Sequence, residues 1–207
     1  LHSVGHSFPT RRSSDLEFRF PLSYANQRPL SAHWTVTGSG AFLVGEKESH
    51  VRISGLTVGK IVDYGLKDSQ NMGACMAPAA CDTIWQNLQD FGRSPEDYSR
   101  IITGDLGYVG QSILFDLLLE KGYDIRGKHL DCGMTIFDQQ TQDTHAGGSG
   151  CGCAATVLSA YILPKIERGE WERVLFVPTG ALMSTVSYNE GASVPGIAHA
   201  IVLEHEA

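Results

Sequence analysis

Apolar positions along this chain fall into two alternating rhythms. Val51-Arg52-Ile53-Ser54-Gly55-Leu56-Thr57-Val58 follows a two-residue period, and Ala41-Phe42-Leu43-Val44 is a short apolar run; both predict strands. Over 78–91, Ala80, Ile84, Trp85, Leu88 and Phe91 return mostly at three- and four-residue steps, which marks one face of a helix. Gly92 closes that pattern, and Ser94-Pro95-Glu96-Asp97 reads as a turn. The alternation then continues with a strand at 100–103, a loop at 104–107 and a helix at 109–120 ended by Gly122. A strand near 134–137, a glycine-rich loop, a helix from 156 to about 168, and strands at 173–177 and 198–203 follow. Strands separated by helices predict an α/β layered domain around a buried, mostly parallel sheet.

The loop at 145–155, His145-Ala146-Gly147-Gly148-Ser149-Gly150-Cys151-Gly152-Cys153-Ala154-Ala155, is the most informative stretch. A glycine-rich loop feeding a helix start presents free N–H groups and the positive end of the helix dipole, which suits a carboxylate or phosphate. The plainer reading is that small residues let the helix pass tightly against its neighbours. Cys151 and Cys153 form a C-x-C pair, but a structural zinc site needs four ligands with paired spacings, and Cys75, Cys81 and Cys132 are scattered, so no metal is assigned. Cys151 at a helix start has the setting of a nucleophile, against the commoner reading of a buried small thiol. His145 is a candidate for a ligand carboxylate or a solvated loop residue. His199, in an apolar strand, reads as a core histidine. Asp105 is a candidate for calcium, with turn capping as the default.

Composition narrows the classes. With 207 residues, 42% hydrophobic and 19% charged, the chain is globular and long enough to bury a core. A net charge of −7 without clustered Lys and Arg argues against nucleic-acid binding. No apolar run approaches the ~20 residues that span a bilayer. Five cysteines, an odd number, suit thiols in a reducing interior better than a disulfide framework. Residues 1–16 are polar, aperiodic and lack the apolar centre of a signal peptide. They read as a translated sequencing adapter, a non-native and disordered leader ahead of globular sequence that starts near Glu17, the back part of a longer protein.

One internal echo sharpens the fold. Residues 35–46 can be laid over 193–204: each is a small-residue turn entering an apolar strand that ends in Glu, Glu46 and Glu204. Two duplicated halves would explain it, and the thiolase-like fold of thiolases and β-ketoacyl synthases is such a duplication. More narrowly, Thr35-Val36-Thr37-Gly38-Ser39-Gly40, Met76-Ala77-Pro78-Ala79-Ala80, Thr103-Gly104-Asp105-Leu106, Ala146-Gly147-Gly148-Ser149-Gly150-Cys151 and Pro178-Thr179-Gly180-Ala181-Leu182 closely resemble the stage V sporulation protein AD family, from Glu17 onward. The resemblance divides the chain into 17–48, the end of an N-terminal thiolase-like half, and 49–207, a C-terminal half.

The resemblance implies a non-catalytic protein that binds dipicolinic acid and serves the sporulation channel moving dipicolinate with calcium into and out of spores. It implies other channel proteins as partners, a peripheral place at the inner spore membrane, and no cofactor. Condensing enzymes of the fold use a Cys from the N-terminal half plus a His and a second His or Asn from the C-terminal half. The His position falls at Thr103-Gly104-Asp105 and the Asn position within Gly147-Gly148-Ser149, so neither offers an imidazole or amide for acid–base or oxyanion work. The ligand is expected on Gly148, Ser149 and Gly150, with Asp105 and His145 nearby. A working acyltransferase or β-ketoacyl synthase is the second reading, and a purely structural part of a membrane assembly the third.

Overall fold

The computed structural model describes residues 29–46 and 49–206; the leader at 1–16, and the residues at 17–28 and 47–48 assigned to an N-terminal half, lie outside the described residues. A five-stranded sheet forms the centre, in the order β2-β9-β6-β3-β4. Its strands are β2 (Val51–Thr57), β3 (Arg100–Thr103), β4 (His129–Asp131), β6 (Arg173–Val177) and β9 (Ala200–His205). β3 runs parallel to β4 and β6, while β9 is antiparallel to both β6 and β2. The α/β layering is as expected, but the sheet is mixed rather than mostly parallel. The reason lies in the last strand, which is reached through an antiparallel strand pair at 179–181 and 196–198, joined by a loop carrying the short helix Thr185–Asn189, instead of a helical crossover packed on the sheet, and so returns antiparallel.

Alternation along these strands divides two cores. Ile101, Leu175, Val177 and Val202 face α1 (Met72–Asp90) and α2 (Gly107–Glu120) on one side. Ile102, Val174, Phe176 and Leu203 face a long helix on the other. That helix comprises α4 (Cys151–Val157), a π turn (Leu158–Ile162) and α5 (Leu163–Glu167), and it buries Cys153, Val157, Leu158, Ile162 and Ile166. The outcome is three layers with the sheet between helices.

Several elements differ from the sequence expectation, each for a physical reason. α1 begins at Met72 because the Asn71 side chain accepts from the Ala74 N–H at 3.3 Å, and it carries Pro78 inside. Its early turns are built of Gly73, Ala74, Ala77, Ala79 and Ala80, which bring its backbone close to Gly110 of α2. The strand expected near 134–137 lies instead at β4, and α3 (Cys132–Thr135) follows it, started by Asp131, whose side chain accepts from Met134 N–H. Residues 41–44 form no strand, and Leu43 is 98% exposed: an apolar run needs a neighbour to pair with, and among the described residues none pairs with it. The echo with 193–204 is therefore one of sequence only. The helix after the glycine-rich loop starts at Cys151, because Gly150 at φ 98° breaks the chain direction and Gly152 through Ala155 are already helical.

Candidate functional site

The carboxyl ends of the parallel strands β3, β4 and β6 lie at one end of the sheet, where α/β folds commonly place ligands. Three segments meet there: the loop 104–106 after β3, the Asp131-Cys132 junction where β4 passes into the next helix, and Pro178-Thr179 after β6. The short strand β5 (Gly148–Ser149) joins them, paired parallel with β1 (Trp34–Thr35). β7 (Thr179–Ala181) and β8 (Gly196–Ala198) form an antiparallel hairpin that begins at the same place.

Asp105 is the hub. Its Oδ2 accepts the Gly150 N–H at 3.0 Å and its Oδ1 accepts the Thr179 hydroxyl at 2.9 Å. Its own N–H donates to Thr179 Oγ1 at 3.2 Å, so the two residues hold each other reciprocally. Burial pushes the Asp105 carboxyl up to about 7, the nearby charge of Asp131 adds to the rise, and the bonds from Gly150 and Thr179 oppose it.

Asp131 lies behind it and is fully enclosed. Its Oδ2 accepts from the Thr103 hydroxyl at 2.6 Å and Leu106 N–H at 2.9 Å; its Oδ1 accepts from Gly107 N–H at 3.1 Å and Met134 N–H at 3.2 Å. One side chain thus caps the first turns of α2 and α3 together. Burial raises its pKa against the pull of these donors. Thr103, having given its proton to Asp131, accepts from His129 Nε2 at 3.0 Å, and His129 Nδ1 accepts from Gln111 Nε2 at 2.9 Å. That direction of donation assigns the Nε2-protonated tautomer. Burial lowers the His129 pKa to about 3, so the ring is a neutral link rather than a charge.

The candidate residues separate on this geometry. Asp105 and Gly150 are brought into contact, and Ser149 sits beside them on β5, its carbonyl accepting from Val36 N–H at 2.8 Å. Gly148 is buried in packing: a Cβ there would meet Ile136 Cγ2 and Val36 Cγ2 at 2.8 Å and Phe137 Cε2 at 3.0 Å. Gly150 is more open, with Thr35 Cγ2 at 3.4 Å as its nearest contact. His145 is engaged elsewhere: its Nδ1 meets Pro29 O at 2.9 Å and its Nε2 lies 3.1 Å from Asp143 Oδ1. His199 is exposed between β8 and β9, not in the core, and its Nδ1 accepts from Gly59 N–H at 3.1 Å. Its strand breaks at that residue, which turns the ring outward. Cys151 is exposed, whereas Cys75, Cys81, Cys132 and Cys153 are buried free thiols. Among the described residues, no group of three or more His, Cys, Asp or Glu is placed to hold a metal.

Sequence reasoning missed Asp131, Thr179, His129 and Gln111 as parts of this cluster. Asp131 carried a usable signal, an Asp just ahead of Cys132-Gly133-Met134, which is an N-cap pattern. The other three are linked only through tertiary contacts.

A family model of stage V sporulation protein AD matches residues 7–204. The chain belongs to the stage V sporulation protein AD family. Stage V sporulation protein AD of Bacillus subtilis (strain 168) is 43% identical over 192 residues, which cover 93% of this chain and 56% of that protein. The chain thus spans little more than half the length of this curated relative. Solved structures that overlay in part are enzymes. Bacillus anthracis acetyl-CoA acetyltransferase is 18% identical with a TM-score of 0.40, covering 77% of this chain and 31% of the other. Human mitochondrial 3-ketoacyl-CoA thiolase is 16% identical with a TM-score of 0.41, covering 77% and 31%. The 3-oxoacyl-[acyl-carrier-protein] synthase III of Aquifex aeolicus VF5 is 14% identical with a TM-score of 0.41, covering 77% and 46%. Among the described residues of this family member, no helix is long and apolar enough to cross a membrane.

Proposed function

We propose that this protein binds dipicolinic acid without catalysing a reaction on it, and that it serves the movement of dipicolinate, with calcium, through the sporulation channel at the inner spore membrane. Membership of a sporulation family gives the setting. The observation that carries the reading is the contact between Asp105 and Gly150, with Thr179 on the other carboxylate oxygen. Asp105 ends the segment that the family resemblance lays over the catalytic His of condensing enzymes, and Gly150 directly follows the Gly147-Gly148-Ser149 segment that it lays over the Asn; the contact between them is a carboxylate on a backbone N–H. Neither group does the work of an imidazole base or an amide oxyanion donor. Of the imidazoles near that end of the sheet, His129 is held neutral and spends both nitrogens on Thr103 and Gln111, and His33, lowered by burial, meets the Leu106 carbonyl. What remains suits recognition of a rigid planar dianion: a glycine-rich turn at a helix start whose Gly150 N–H already holds one carboxylate, that of Asp105.

Calorimetric titration with dipicolinate, beside an acyl-transfer assay with acetyl-coenzyme A, tests the reading. Saturable dipicolinate binding with no acyl transfer is expected. Acyl transfer that is lost in Cys151→Ser would establish the acyltransferase reading instead. Because Gly148 is wedged among Ile136, Val36 and Phe137, a bulky residue there disturbs packing before it reaches any ligand. Gly150 and Asp105 are the positions that probe the site.

A further inference from the structure

We propose that Asp105 decides which ligands the glycine-rich loop accepts: its carboxylate sits on the Gly150 N–H as a built-in stand-in for a ligand's carboxylate, and an incoming carboxylate binds with uptake of one proton by Asp105. The proposal rests on reading this loop as the ligand-binding wall.

The geometry makes the conflict explicit. The donor best placed to receive an anion, Gly150 N–H, already bonds Asp105 Oδ2 at 3.0 Å. Asp105 is not a side chain that can swing clear, because Thr179 holds its Oδ1 at 2.9 Å and its backbone N–H at 3.2 Å. A second carboxylate at the loop therefore lies beside a fixed negative charge, with Asp131 behind it. Like charges in so enclosed a place disfavour each other strongly. A proton on Asp105 removes the repulsion and does more: the carboxylate, an acceptor only, gains an O–H that can donate to the ligand's oxygen. The balance is one dianion and one proton bound, with no other bond made or broken.

Among the described neighbours the competing site for that proton is Asp131, which burial also raises but which four donors hold in its ionised form against two for Asp105, so the proton is assigned to Asp105. The ionisable groups acting on or beside Asp105 are Asp131 at the end of β4, Cys132 on α3 and Cys153 on α4. Burial pushes both thiols upward, so they stay neutral. His33, which meets Leu106 O at 3.2 Å, is lowered by burial, and His129 is lowered to about 3, so both rings are neutral near pH 7. Cys151 follows Gly150 in the chain and is the remaining group to control for. Asp105 itself, raised to about 7, changes charge within the accessible range.

Calorimetric titration with dipicolinate from pH 6 to pH 8, at constant ionic strength and in two buffers of different ionisation enthalpy, tests this. The ligand is fully ionised throughout, so any pH dependence belongs to the protein. With a midpoint of about 7, affinity should fall roughly tenfold from pH 6 to pH 8, and proton uptake should approach about one per ligand at pH 8. Asp105→Asn should flatten the profile near its acid limit. Thr179→Val, which keeps the carboxylate but loses a donor to its ionised form, should move the midpoint upward. Cys151→Ser should leave the slope unchanged. Pyridine-2,6-dicarboxamide, uncharged, should bind without proton uptake or not at all. Dipicolinate binding whose slope survives in Asp105→Asn, or is absent in the wild type, overturns the inference while leaving the binding reading intact. No dipicolinate heat in any variant at any pH overturns both.

Discussion

At the scale of single residues, the network behind the site is built to keep polar groups neutral or fully bonded, and its pH behaviour follows. His129 is enclosed, edge-on to Phe115 with ring centroids 5.2 Å apart, and bonded at both nitrogens. Unfolding frees the ring to take a proton below its ordinary 6.5, whereas the folded ring stays neutral down to about 3. Across that window the unfolded state binds more protons, so stability falls as pH falls. Chemical denaturation at pH 7 and pH 4 should show a loss attributable to this ring of about 3 kcal/mol. His129→Gln, which preserves a donor and an acceptor, should be less stable at pH 7 by about 1–2 kcal/mol through lost packing, yet decline less steeply with acid. Parallel acid profiles for wild type and variant would show that His129 is not buried as described.

At the scale of elements, close backbone contact explains more of the glycine-rich stretch than ligand binding does. Gly152 lies on α4 where a Cβ would stand 2.5 Å from Gly38 O and 3.1 Å from Gly38 C, so the segment at 37–40 rests directly on the helix. Ala favours a helix over Gly by about 1 kcal/mol, but here the methyl must displace backbone. Gly152→Ala is therefore expected to destabilise by about 1–3 kcal/mol, while Gly127→Ala, with nothing within 4 Å of the added carbon, should change little. Equal denaturation midpoints for the two variants would refute the close contact. The same distinction shows what was legible in the sequence. β3 and β6 fall at the expected residues because Ile101, Ile102 and the run from Val174 to Val177 are apolar throughout, the mark of strands covered on both faces. β4 was hidden because His129 and Asp131 are polar, and only tertiary bonds make them suitable for burial. Within the site, the two motif segments were recognisable separately. Their meeting at Asp105 and Gly150 spans 45 residues and depends on the sheet that brings strand ends together.

At the scale of the molecule, the described surface carries apolar side chains that nothing within it covers. β2 is an edge strand whose Ile53 and Leu56 are 51% and 61% exposed, and Val58 and Ile61 continue the surface beyond it. A register shift between Ile53 and Gly55 kinks this edge, which partly guards it against strand addition. The side chains remain exposed all the same, and apolar surface of this kind promotes association. Opposing it is the net charge of −7, a repulsion that acts over about 10 Å at 0.1 M salt and shortens as salt rises. Charge and apolar surface therefore pull in opposite directions, and salt selects between them. The mass measured by light scattering should grow with protein concentration, and grow further from 0.05 M to about 0.5 M sodium chloride, as screening removes the repulsion. Ile53→Lys combined with Leu56→Lys places charge on the edge and should hold the mass constant over the same range. Association that weakens with salt, or that persists unchanged in the double variant, would assign it to ion pairs or to another face.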